Sequence, residues 1–127
     1  MEIHINDKMT ILDLQQQFSN VFPFLKLEIF EITHTSNGLS KSRVHPNYKQ
    51  LGACRKNHIE GTLNFSSNDP VEKLEKNLWQ QFGLSAEVFR KSGNLWIETS
   101  LSDTWTLQSQ NEEGRIFSAL QPNKKAV

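Results

Sequence analysis

Between Lys41 and Ile59 the chain carries five cations, Lys41, Arg43, Lys49, Arg55 and Lys56, two histidines, His45 and His58, and no carboxylate. Such a set suits anion binding, because guanidinium forks match carboxylate and phosphate oxygens two at a time and lysines add compact charge. The whole chain hides this concentration, since its 127 residues balance 14 Lys and Arg against 14 Asp and Glu. Residues 1–40 carry a net charge of −3, residues 60–127 carry −2, and the segment between them carries +5. The candidate anion or partner site is therefore Arg43, His45, Lys49, Arg55, Lys56 and His58. The plainer reading is a solvated loop, because charged side chains normally face water.

Other chemistry finds less support. Cys54 and His58 lie four apart, with His45 thirteen residues upstream of His58. A structural zinc needs four ligands and a catalytic one three plus a second shell, which this spacing does not supply. Cys54 as a nucleophile needs a base and an oxyanion donor, and nothing in the pattern places them. A phosphate-binding glycine loop, a nucleophile elbow and a zinc-protease helix are all missing. The basic segment is also too thin for nucleic acid, with no recognisable binding module. No metal and no cofactor are expected, and the reading leans away from catalysis. The expected function is a non-catalytic interaction module that presents its basic segment to an acidic protein, a small anion or a second copy of itself. The alternative is a small enzyme or ligand-binding protein whose pocket lies under residues 41–59, using His45, Tyr48, Cys54 and His58.

These residues sit between two similar stretches. Ile3, Ile5, Ile11, Leu14, Phe18 and Phe22 overlie Leu63, Phe65, Val71, Leu74, Leu78 and Phe82 at a constant separation of sixty positions, which becomes fifty-nine for Glu28, Ile29 and Phe30 over Glu87, Val88 and Phe89. Each copy reads strand, helix, strand. Alternation at Ile3 and Ile5 marks a half-buried strand. Thr10 and Asp13 make a capping box for a helix that Pro23 ends. In the second copy Asp69 and Pro70 open a helix and Gly83 closes it. Asn37-Gly38 reads as a turn. Ser92-Gly93 reads as the turn of a hairpin into Leu95–Thr99, without counterpart in the first copy. Ser102 or Asp103 would cap a last helix from about Thr104.

The expected fold is α+β: duplicated β-α-β units in a ferredoxin-like, split βαβ antiparallel sandwich, with an added hairpin strand and C-terminal helix. That helix is expected to shield Phe30, Ile32, Phe89 or Trp96. One domain is divided into a first unit (1–33), the basic insert (34–59), a second unit (60–91), the strand and helix (92–120) and a tail (121–127). From a single cysteine, an N-terminus unlike a signal peptide and the lack of a long apolar run, a cytoplasmic location away from membranes is expected.

The run Arg43 to Gly52, and the run Phe89 to Thr99 with Trp105-Thr106-Leu107 and Gln110-Asn111 behind it, resemble segments of a small uncharacterised family of bacterial proteins. The resemblance implies a free-standing bacterial cytoplasmic protein of unknown function, and it brings no activity or catalytic residue with it.

Overall fold

The computed structural model describes residues 1–36 and 38–120. Asn37 of the expected turn and the tail 121–127 lie outside them. Strand β1 (Glu2–Ile5) alternates exposed and buried positions and sends Ile3 and Ile5 inward. Helix α1 (Ile11–Val21) opens on the expected capping box: Asp13 N–H donates to Thr10 Oγ1 at 3.1 Å, and Thr10 N–H donates to the Asp13 carboxylate at 2.9 Å. A hairpin of β2 (Leu25–Thr35) and β3 (Gly38–Val44) follows. The order then recurs as β4 (Gly61–Asn64), α2 (Val71–Phe82), β5 (Ser85–Ser92) and β6 (Leu95–Glu98), and the described chain ends in α3 (Leu107–Leu120). Gly83 closes α2 with φ +66°, a left-handed conformation that a residue without Cβ adopts at little cost.

The α+β class holds, with three helices and two antiparallel sheets. The single sheet of a ferredoxin-like sandwich does not. β1 pairs only with β4, and the larger sheet runs β3-β2-β5-β6. In the expected arrangement the first strands of the two units lie parallel within one sheet. Here each pairs antiparallel with its own copy: Ile3 faces Leu63 and Glu28 faces Glu87, the matched positions of the duplication. A pseudo-twofold axis therefore passes through both ladders, as in an isologous dimer fused into one chain. Gln15 and Glu75, again sixty apart, obey it. Gln15 Nε2 donates to Leu27 O at 2.7 Å, and Val88 N–H donates to Glu75 Oε2 at 3.0 Å. Both side chains satisfy backbone groups on the outer sides of the central strand pair. The inner faces of β2 and β5, the stripes of α1 and α2 and the β1–β4 ribbon bury one core, with Phe18, Phe22 and Phe65 in ring contact.

The hairpin strand β6 does have a counterpart, which is β3: each extends the larger sheet at one edge. The repeat continues further. Ile11 and Leu12 N–H donate to Lys49 O and Asn47 O, while Val71 and Glu72 N–H donate to Trp105 O and Asp103 O. Leu51 and Gly52 N–H donate to Met9 O and Asp7 O, as Leu107 and Gln108 N–H donate to Asp69 O and Ser67 O. Residues 47–52 thus correspond to 103–108, and the expected insert is the end of the first copy. These carbonyls serve the first turn of α2, where the side chain of Asp69 accepts instead from Ser66 N–H. Because residues 103–106 are used this way, α3 begins at Leu107, with Thr106 Oγ1 accepting from Ser109 N–H.

The C-terminal helix does not cover the expected face. α3 packs where Arg90 points, and Arg90 shares the inner side of the sheet with Leu25, opposite Phe89 and Trp96. The outer face is crossed instead by Lys26, whose Nζ lies 5.1 Å from the Trp96 ring.

Candidate functional site

Strand β3 delivers Arg43 to one wall of a cleft of roughly 940 Å³, and the next turn and the 3₁₀ turn Leu51–Ala53 deliver Lys49, Cys54, Arg55 and Lys56. His45 lies between them. The opposite wall is the C-terminal turn of α2, with Trp79, Gln80 and Gly83, and the floor includes Glu31, Ile32 and Thr33 of β2. Leu51, fully buried, anchors the 3₁₀ turn and so fixes where the cations stand. Five of the six expected site residues converge here, and His58 does not: its Nδ1 meets Asp7 Oδ2 at 2.9 Å outside the cleft. The side chain of Lys41 lies outside the described set.

The cations differ in what holds them. Arg43 Nε donates to Glu31 Oε2 at 2.8 Å from a largely exposed side chain, and this hydrogen bond holds the Glu31 carboxyl below its ordinary range. Arg55 is fully buried and committed. Its Nε and Nη2 donate to Asp7 Oδ1 at 3.0 and 2.8 Å, and Nη1 donates to Phe82 O at 3.2 Å. The guanidinium thereby ties the loop after β1 to the C-terminal carbonyls of α2, where a cation is favourable. Burial opposes ionisation of Asp7, but Arg55 and His58 outweigh it and hold the carboxyl below its ordinary value.

His45 is pinned by its backbone N–H, which donates to Ile29 O at 2.8 Å. Its ring is buried to 8 % exposure, with Nδ1 lacking a hydrogen-bond partner. Burial, and then Lys49, lower its pKa against the opposing charge of Glu31, so the imidazole is neutral at pH 7. Cys54 lines the same cleft, half-buried, with Sγ 3.4 Å from Gln50 O. Burial pushes its thiol up, away from the thiolate that nucleophilic chemistry needs. Tyr48 stands exposed outside the cleft, so the four residues of the catalytic alternative do not converge. Among the described residues no group of three or more His, Cys, Asp or Glu is placed to hold a metal ion, and no helix is long and apolar enough to cross a membrane.

Glu31 and Trp79 complete the cleft, and the sequence reading did not assign them to it. Trp79 left one signal, a large aromatic beside the apolar stripe of α2 and not on it; Glu31 left none, because its role depends on the β2–β3 register. Compared with protein-family models, with curated proteins and with solved structures, the chain matches none.

Proposed function

We propose that this chain is a non-catalytic binding module whose basic cleft holds carboxylate or phosphate groups of an acidic partner, in the bacterial cytoplasm that the sequence resemblance implies. One observation carries the reading: Arg43, Lys49, Arg55 and Lys56, scattered over fourteen positions, line one concave surface with Glu31 as the only carboxylate among its described lining residues. Glu31 pairs with Arg43 and Asp7 with Arg55, and Lys49 and Lys56 add positive groups to the same lining as Trp79. The neutral His45 adds a hydrogen-bonding ring without adding repulsion to a second cation. Site energetics of this kind depend strongly on salt.

The test is a titration of the folded protein with inorganic phosphate and with a glutamate-rich peptide, followed by NMR at low and moderate salt. Shifts confined to the cleft that weaken with salt, and that are lost in the Lys49→Ala, Lys56→Ala double variant, are expected. Binding indifferent to those replacements removes the proposal. The small ligand-binding alternative is favoured only by the unpartnered Nδ1 of His45, and an uncharged ligand that shifts His45 alone would favour it.

A further inference from the structure

The two halves of the molecule correspond as far as Asn57 and Glu113, and there they diverge. In the second half, α3 continues past Glu113 for the seven residues Gly114 to Leu120, about 10 Å of helix. This stretch fills a seat. Gly114 lies so close to Phe24 that an added Cβ would stand 2.8 Å from the Phe24 Cβ, and the Phe117 ring stacks on Arg90. The first half starts the same way, with Leu51 in place of Leu107 and Arg55 in place of Asn111. Asn111 Oδ1 accepts from Phe24 N–H, and Arg55 likewise reaches the matching turn, at Phe82 O. After Asn57, however, the first-half chain leaves for β4 at Gly61. The partners that α3 covers, Phe24 and Arg90, correspond by the sheet register to Gly83 and Glu31. Both of these line the basic cleft.

We infer that the cleft, beyond Asn57, is the open counterpart of the seat that Gly114–Leu120 of α3 fills, and that it receives an acidic amphipathic helix from a partner protein. This rests on the anion-binding reading of the same cleft and narrows it. Geometry supplies the helix, because the matching surface elsewhere in this molecule is closed by one. Charge supplies the acidity: Arg43, Lys49 and Lys56 line the groove, while the acidic side chain on its floor, Glu31, is already paired with Arg43. The apolar stripe of the guest packs on Trp79 and Ile32, whereas Gly83 is already covered by Asn57, whose amide nitrogen would stand 2.8 Å from an added Cβ there. This is recognition by a helix in a groove, with anchors spaced three and four apart.

A display library of helix-forming peptides with an apolar stripe and Glu or Asp elsewhere provides the test. Selection uses the full chain, with the Lys49→Glu, Lys56→Glu double variant for counter-selection. The expected binders gain helicity on binding, shift Trp79 and His45 resonances, and lose about tenfold or more in affinity to the double variant, and again when a proline is placed mid-peptide. Inorganic phosphate serves as the separate probe. If phosphate or proline-tolerant acidic peptides occupy the cleft and no helical binder emerges, the helix inference is overturned while the anion reading stands. If neither phosphate nor any acidic peptide shifts the cleft, both fall. A salt-sensitive dimer that the double variant abolishes would give the cleft to a second copy and overturn the partner helix.

Discussion

Ile3 stands directly opposite Leu63 in the β1–β4 ladder, and the two are the same position of the two copies. Glu28 and Glu87 bear the same relation in the larger sheet. Matched residues therefore experience matched surroundings, and departures from the symmetry mark where the halves have different tasks.

Leu14 and Leu74 are matched and both buried. Replacing either by alanine is expected to cost about 2–5 kcal/mol, with similar values for the two, whereas Lys73→Ala, which breaks only an exposed pair with Asp69, costs less than about 1 kcal/mol. Urea unfolding of the three variants checks this. A harmless Leu14→Ala would contradict the duplicated core.

Gly114 sits inside α3, where alanine would ordinarily stabilise a helix by about 1 kcal/mol. Here the new Cβ would also meet Arg90 Cγ and Phe24 O, each at 3.1 Å. The overpacking cost of roughly 1–3 kcal/mol exceeds the propensity gain, so Gly114→Ala should lower Tm. A higher Tm would show that α3 does not press on Phe24.

Arg55 and Arg43 should separate stability from binding. Arg55→Ala removes the guanidinium donors to Phe82 O and to Asp7 Oδ1, leaving Asp7 Oδ2 with His58, and is expected to cost roughly 1–3 kcal/mol. Arg43→Ala should leave unfolding nearly unchanged and weaken phosphate or acidic-peptide binding. The folded pKa of Asp7 is depressed, so its contribution is complete above the ordinary value of 3.8 and disappears as pH falls through the lowered one. Asp7→Asn should flatten the stability profile in that acid range. Equal acid sensitivity in both proteins would place the effect elsewhere.

His45 makes the opposite half of the pH dependence visible. Its folded pKa lies below the ordinary 6.5. Between those two values the unfolded chain binds more protons, so stability rises with pH through this window and levels off above it. NMR titration of the imidazole should give a midpoint below 6.5, and an anion bound in the cleft should raise it. A midpoint at or above 6.5 in the free protein would mean that the ring is not desolvated as described.

The duplication, the Thr10–Asp13 capping box, the stripes of both helices and the glycine stop at Gly83 were legible in the sequence, because each depends on near neighbours along the chain. So was the concentration of charge between Lys41 and Ile59. Strand pairing was not. The same strand-helix-strand order is compatible with parallel neighbours in one sheet, and only long-range packing selects a twofold that sets Ile3 against Leu63 in one ladder and Glu28 against Glu87 in another. The repeat of residues 47–52 in 103–108 was equally hidden, since backbone hydrogen bonds conserve it while the side chains differ: Asn47-Tyr48-Lys49 corresponds to Asp103-Thr104-Trp105. Tertiary structure also sorted the cations. Arg43 and Arg55 look alike in the sequence, yet Arg55 is buried against Asp7 and Phe82 while Arg43 stays at the rim with Glu31, because burial of a guanidinium requires partners that only the folded chain brings within reach.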